Sequence, residues 1–246
     1  MRLGESMRIN PPDAYWKKDV VAFFGRRFAL VIKMVYPLAL IVPIAASDIP
    51  PEFAAAVVGI VAIMAGTFGA GETLTSDLND GILMRLALTP VPPQRIVFEV
   101  LAVNAVLDFL QLLPPLLIVF LLNGTAPVWA LAAAFGVFAT LVAANCIGIF
   151  IANFTSSPAD VLLYATAILF PLIYLSGFFR NQNPEGLLAA IRDFIPFAYM
   201  NDALKAAFGL ATQTSPGAVF VFPTIICAVL AVTVCLTAPR LLSLRT

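Results

Sequence analysis

The chain has 246 residues, of which 61% are hydrophobic and only 11% are charged. Soluble domains have about half apolar and about a quarter charged residues, so this composition excludes a soluble enzyme and a disordered chain, and it leaves no length for a sizeable aqueous domain. Since a membrane-crossing helix needs about 20 apolar residues, the chain has room for about six crossings joined by short loops.

The N-terminal segment, residues 1–27, is polar and basic, and we predict that it lies at the cytoplasmic face of a membrane. Pro11 and Pro12 precede a predicted helix whose cap is Asp13. The residues that follow mix aromatic side chains with lysines and arginines, a pattern typical of a helix in the membrane interface. The alternative is that this segment is only the charged lead-in of the first span.

Six apolar segments follow, and we predict that each of them crosses the membrane as a helix. They are residues 28–46, 53–74, 96–122, 128–152, 161–179 and 217–242. With the N-terminus inside, the inner segments hold eleven lysines and arginines and the outer segments hold three. The positive-inside rule therefore places both termini in the cytoplasm. Residues 28–242 form the six spans, 243–246 form a cytoplasmic tail, and residues 1–246 form one all-α transmembrane domain.

The segment between the fifth and sixth spans needs a different interpretation. Residues 186–210 are apolar enough to suggest a seventh crossing, but they include Arg192, Asp193, Asn201, Asp202 and Lys205. An ionised group in the middle of a membrane costs about 2.5–3.5 kcal/mol on insertion scales. We therefore predict a re-entrant pair of short helices that enters partway from the outside and is shielded by protein.

The third span carries a stripe of polar residues. Asn104, Asp108 and Gln111 share one face of an otherwise apolar helix, and polar residues inside a membrane usually face the bundle interior or a cavity. Two interpretations stay open for them: they line a transport pathway, or they form hydrogen bonds between helices. Asn145 in the fourth span is ambiguous in the same way.

Several kinds of site are excluded by the residue types that the chain lacks. There is no histidine, and the three cysteines are scattered through apolar stretches. Triads, proton relays and metal sites that need histidine are therefore impossible, and the cysteines form neither a disulfide framework nor a CxxC motif. We predict no metal site and no catalytic residue. A net charge of zero also argues against a nucleic-acid partner.

Residues 77–91 resemble the loop between the second and third spans of the permeases of the ABC-2 type transporter family, largely its exporter branch. The positions that fit the family pattern are Asp77, Gly81, Leu83, Leu86, Thr89, Pro90 and Val91. Asn79, Ile82 and Met84 stand where the family has an acid, threonine and glutamate. A second resemblance covers the end of the fifth span, with Ser176 and Gly177, and residues 196–205.

The resemblance implies a coupling helix over residues 77–88 that docks on a separate ATPase, with Ser76 or Asp77 as its cap. Its implied docking residues are Asp77, Asp80, Gly81, Leu83, Arg85, Leu86 and Pro90. The implied outer gate comprises Tyr174, Phe178, Phe179 and Tyr199. The family also implies a dimer of permease copies, identical or different, in the inner (plasma) membrane of a prokaryote, in contact with membrane lipid, with export as its direction.

The chain has no phosphate-binding loop of the G-x-x-x-x-G-K-[ST] kind. We therefore expect no enzyme activity and no cofactor in this chain, with ATP and Mg bound by the partner ATPase. The alternative is a stand-alone secondary transporter coupled to ions or protons, although such carriers are built from inverted repeats and no internal repeat is evident. A lipid-modifying enzyme is disfavoured because acidic residues are few and histidine is absent.

Overall fold

The computed structural model describes residues 15–25, 27–47, 49–82, 85, 91–179, 186–212 and 214–243. The helices in these ranges are α1 (Tyr15–Gly25), α2 (Arg27–Ala45), α3 (Pro51–Asn79), α4 (Pro93–Leu122), α5 (Pro127–Ala152), α6 (Pro158–Leu175), α7 (Leu187–Asp193), α8 (Pro196–Ala207) and α9 (Pro216–Ser243). The described residues contain no strand, so the predicted all-α class is confirmed. The predicted cap Asp13 and the first fourteen residues lie outside the described part.

Among the described residues, five helices are long and apolar enough to cross a membrane: α3, α4, α5, α6 and the part of α9 over Pro216–Pro239. They correspond to the second to sixth predicted spans. In α2, which corresponds to the first, the apolar stretch is shorter and covers Val31–Ala45. Two short helices, α7 and α8, occupy the segment where the charged residues argued against a seventh crossing.

Proline and a capping box set the starts of most of these helices. Proline lies at the first helical position in α3, α4, α5, α6 and α8, where its missing N–H removes no hydrogen bond and its fixed φ suits the helix. At the start of α6, the Ser157 side chain accepts from the Asp160 backbone N–H, and the Asp160 carboxylate accepts from the Ser157 N–H. This reciprocal pair fixes the first turn of α6.

Two helix ends differ from the predicted span ends. α3 continues to Asn79, well past the predicted end at residue 74, so Asp77 lies in its last turn and not at the start of a separate helix. The predicted helix cap at Ser76 or Asp77 is therefore wrong. α6 ends at Leu175, before the predicted end at residue 179, because Gly177 adopts a φ of +82° that terminates a right-handed helix.

The centre of the bundle is the contact between α3 and α5. A Cβ atom added at Gly66 would lie 2.9 Å from the Cβ of Ala144, and one added at Gly148 would overlap the carbonyl oxygen of Thr67. The two backbones therefore touch, as small residues allow in membrane helices. α4, α6, α8 and α9 pack around this pair.

The bundle has two distinct ends. At the loop end, the 80–92 connection follows α3, and Asn79 Nδ2 donates to the Ser156 carbonyl oxygen in the α5–α6 loop at 3.1 Å. At the opposite end, which we name the plug end, α8 meets the α4–α5 loop, where Thr125 Oγ1 donates to the Ala207 carbonyl oxygen at 2.7 Å. The two ends separate the predicted docking residues from the predicted gate residues.

Candidate functional site: a buried plug and an exposed loop

α8 is buried around its whole circumference at the plug end. Its apolar residues Phe197, Met200 and Leu204 are fully covered, and so are the polar residues Asn201 and Asp202. Its neighbours are α3, α5 and α9. A short helix that is buried on every side acts as an internal plug and not as a surface connection.

Met200 shows how far the plug reaches into the bundle. A Cβ added at Gly59 of α3 would lie 3.1 Å from Met200 Cε, and one added at Gly136 of α5 would lie 3.2 Å from Met200 Cα. Gly59 is about 12 Å along α3 from its first residue, at 1.5 Å per residue. The plug thus sits between two glycines well below the end of the bundle.

A buried ion pair joins α7 to α8. Arg192 Nη2 lies 2.5 Å from both carboxylate oxygens of Asp202, with most of both side chains shielded from solvent. Thr214 Oγ1 donates to Asp202 Oδ2 at 2.5 Å. The carboxylate of Asp202 therefore holds α7, α8 and the segment before α9 together, and charged hydrogen bonds of this kind are roughly twice as strong as neutral ones.

Two side chains of α8 bond to the carboxyl end of α6. Asn201 Nδ2 donates to the Ser176 carbonyl oxygen at 3.2 Å, and Lys205 Nζ donates to the Gly177 carbonyl oxygen at 3.2 Å. These carbonyls belong to the turn at the end of α6, where intrahelical donors run out. The plug is thereby fastened to α6 as well as to α7.

Burial shifts the pKa values of two groups in α8. Desolvation lowers the pKa of Lys205 below its ordinary value, and the carboxylate of Asp202 acts in the opposite direction. Desolvation raises the pKa of Tyr199, and the carboxylate of Asp193 adds to that rise. In both cases burial in the plug is the largest cause, which agrees with the shielding of this helix from solvent.

The predicted gate aromatics occupy two environments. The Phe178 ring is buried and leaves no room for a Cβ atom at Gly59. Tyr199 is buried, donates to the Asp193 carbonyl oxygen at 3.0 Å and stacks on Phe222 with a centroid separation of 5.6 Å. Tyr174 and Phe179 are half exposed. The structure brings Phe178 and α8 together but places the other two on the surface.

In the predicted polar stripe of α4, Asp108 has contacts with two other helices. Asn145 Nδ2 lies 3.5 Å from Asp108 Oδ2, and a Cβ added at Gly69 would lie 3.1 Å from the same oxygen. Asn104 is buried and its amide donates to the Val100 carbonyl oxygen of its own helix at 2.9 Å. Gln111 is partly buried. For Asp108, these contacts favour hydrogen bonding between helices over the lining of a pathway.

The predicted docking residues lie at the loop end, and only some are described. Asp77 is buried in the last turn of α3, and Asp80 follows that helix in an exposed turn. Gly81 has a φ of +67°. Arg85 is helical and exposed, whereas Leu83, Leu86 and Pro90 lie outside the described residues.

The sequence did not predict the ion pair of Arg192 with Asp202. It also did not predict that Gly59 and Gly136 make room for the plug helix α8. The charged residues of the pair were used as an argument against a seventh span and were not paired with each other. Gly59 and Gly136 lie in apolar stretches where a glycine carries no signal of what it will contact.

The family model described as ABC-2 type transporter matches residues 14–209. The match covers more than half of the chain and includes both the loop end and the plug. No curated protein and no solved structure matches the chain.

Proposed function

The chain belongs to the ABC-2 type transporter family, and from this premise we propose that it is the permease subunit of an ABC exporter. Two permease copies, identical or different, form the pathway, and a separate ATPase supplies the energy. The observation that carries the proposal is the family match over residues 14–209, on a chain with five helices that are apolar enough to cross a membrane. No catalytic residue is assigned to this chain.

We propose six spans, with α2 as the first and both termini in the cytoplasm of a prokaryotic cell, so that the subunit lies in the inner membrane. α2 packs on α3 and α4, and four of its large side chains, Val31, Ile32, Val35 and Tyr36, are exposed. An apolar face of this kind is unfavourable in water but suited to lipid. The segment of α7 and α8 then enters partway from the outer side, where α8 is covered by protein as backbone at that depth requires, whereas no residue of α7 is buried.

The proposed ATPase docking segment follows α3 at the loop end. Gly81 ends α3, and Arg85 is exposed just beyond it, where a partner can reach it. ATP and Mg are bound by the ATPase, so this chain needs no cofactor. Leu83, Leu86 and Pro90 complete the docking surface in the proposal.

ATP binding is proposed to draw two ATPases together and to rock the permease copies through their docking segments. Since α3 and α5 touch backbone to backbone, they are expected to move as one body. Met200 is seated between them, so the inner side of the plug rests against that body. Phe178, which packs on Gly59, and Tyr199 are the proposed inner part of the outer gate, and Tyr174 and Phe179 are its surface part.

Gln111 and Asn104 are the proposed polar lining of the pathway. The contacts of Asp108 with Asn145 and Gly69 support a role for its carboxylate in the packing of α4 against α3 and α5 instead. Replacement of Gln111 by Leu is expected to change substrate transport, and replacement of Asp108 by Asn is expected to leave it close to wild type.

The decisive experiment is co-purification with an ABC ATPase, followed by transport in proteoliposomes with and without ATP. Arg85→Gln is expected to weaken co-purification several-fold because it removes an exposed cation from the docking segment. Arg95→Gln is the matched control: its guanidinium is already paired with Glu99 at 2.8 Å, so the ATPase should still bind. Transport by the isolated chain without nucleotide would instead support the secondary-transporter alternative.

A further inference from the structure

α6 is attached to the bundle along one narrow stripe. Its buried residues are Val161, Ala165, Leu169 and Ile173, spaced four apart on one face. Long side chains on its other faces, including Leu163, Phe170 and Tyr174, are exposed. The stripe packs mainly on α3, so the middle of α6 has few constraints besides this single line of contact.

The loop end of α6 is fastened to α3. A Cβ added at Gly71 would lie 2.7 Å from Val161 Cγ1, which shows how closely the first turns of α6 approach α3. Just before α6, the hydroxyls of Thr75 and Thr155 lie 3.4 Å apart, and Asn79 donates to the Ser156 carbonyl oxygen. The residues that tie α6 here belong to the last turns of α3, directly before the docking segment.

The plug end of α6 is fastened in a comparable way. Phe178 occupies the space beside Gly59, and Asn201 and Lys205 donate to the carbonyl oxygens of Ser176 and Gly177. α6 thus contacts α3 near both of its ends, and at the plug end it also carries α8. Its 18 residues span about 27 Å at 1.5 Å per residue.

We propose that α6 is a rigid link that passes displacement between the docking segment and the plug, with Asn79 and Thr155 as positioning residues at one end and Asn201 and Lys205 at the other. The link is a property of the subunit itself. Its role in transport rests on the proposed function, in which the docking segment is moved by the ATPase. A helix transmits displacement along its axis because its backbone hydrogen bonds keep its length fixed, and ties at both ends prevent it from slipping along α3.

Hydrogen–deuterium exchange of the permease alone in lipid nanodiscs tests the link without any ATPase. The loop-end variant combines Asn79→Ala with Thr155→Val, and the plug-end variant combines Asn201→Leu with Lys205→Met. Loss of one neutral hydrogen bond corresponds to roughly a 2- to 10-fold change in a local opening equilibrium. We expect the loop-end variant to raise exchange by that factor at residues 153–160 and also at residues 176–179 and 196–207.

The plug-end variant is expected to show the reciprocal effect, since coupling between two sites acts in both directions. Thr166→Val is the matched control: its hydroxyl donates to Leu162 of the same helix at 2.7 Å and joins no other element. A rise confined to the mutated end in both variants would overturn the proposal. So would a uniform rise that includes α5, because it would show general loosening of the bundle.

A second measurement separates this inference from the proposed function. In the complex with its ATPase, ATP is expected to change exchange at both ends of α6 in the wild type. In the loop-end variant the change at the plug is expected to be lost while ATP hydrolysis continues. If the change in exchange at the plug is retained in this variant, the proposed link is contradicted. If the ATPase does not co-purify, the proposed function is contradicted, and the exchange measurements on the isolated subunit then test the link by themselves.

Discussion

At the plug end, a buried ion pair and several hydrogen bonds between side chains and carbonyls hold α8 inside the bundle and fasten the exposed helix α7 to it, whereas at the loop end Asp80 and Arg85 are exposed beyond the last turn of α3. The first end pairs Arg192, Asp202 and Lys205 within the subunit, while Asn201 Oδ1 has no hydrogen-bond partner among the described residues. The second leaves charged groups exposed. In the proposed function, the contrast corresponds to one end that the subunit closes by itself and another that the ATPase completes.

The largest expected difference between the two ends is the loss of stability when the ion pair of each end is removed. Asp202→Asn leaves Arg192 with its charge in a shielded site, and it is expected to lower stability by about 3 kcal/mol. Glu99→Gln breaks the pair with Arg95, which is half exposed, and such surface pairs contribute only about 0.5 kcal/mol. Thermal unfolding in nanodiscs measures both.

The double variant Arg192→Met with Asp202→Leu serves as the control, since replacing both charges by apolar groups avoids the unpaired cation. The double variant is expected to recover most of the stability that Asp202→Asn loses. Equal midpoints for Asp202→Asn and Glu99→Gln would show that the plug end is not stabilised more strongly than the loop end.

Glycine replacements give a smaller effect with a different cause at each end. Gly59→Ala places a methyl group against the Phe178 ring, and overpacking of this kind costs about 1–3 kcal/mol. A Cβ atom in Gly81→Ala has no neighbour within 4 Å among the described residues, but alanine must adopt a φ of +67° there, which costs about 1–2 kcal/mol. Asn tolerates positive φ, so Gly81→Asn is expected to be nearly neutral while Gly59→Asn is not. Equal losses for the two Asn variants would contradict this assignment.

The smallest expected effect on stability comes from the exposed hydrogen bond at the loop end. Asn79→Ala removes the bond to the Ser156 carbonyl at an exposed position and is expected to cost about 0.5 kcal/mol. Asn201→Ala removes a comparable bond at a fully buried position and is expected to cost several times more. Midpoints of unfolding for the two alanine variants test whether burial accounts for the difference.

The positions of the long helices could be predicted because apolar length and proline placement decide them. The end of α3 could not, since Thr75 and Asp77 lie in a polar segment that the sequence places beyond the second span, yet both are buried and the Thr75 hydroxyl lies beside that of Thr155. A bulky replacement at Gly81 would not test docking alone, because any side chain at its positive φ also strains the end of α3.

The sequence named residues for the candidate site but not their contacts. Charges at Arg192 and Asp202 argued against a crossing, and two short helices occupy that segment, but the pairing of the two charges depends on how α7 turns into α8, which no local pattern specifies. The gate aromatics were chosen by their position near the end of a span, and that criterion does not separate buried Phe178 from exposed Phe179. The docking role of residues 77–90 stays a prediction.

The backbones of α3 and α5 touch at the centre of the bundle. Where Gly148 meets Thr67 there is no space for a single methyl group, so cargo of any size is barred from travelling between those two helices. In the proposed dimer, we expect the route across the bilayer to run along the flank of the subunit and to be closed by the second copy that faces this flank.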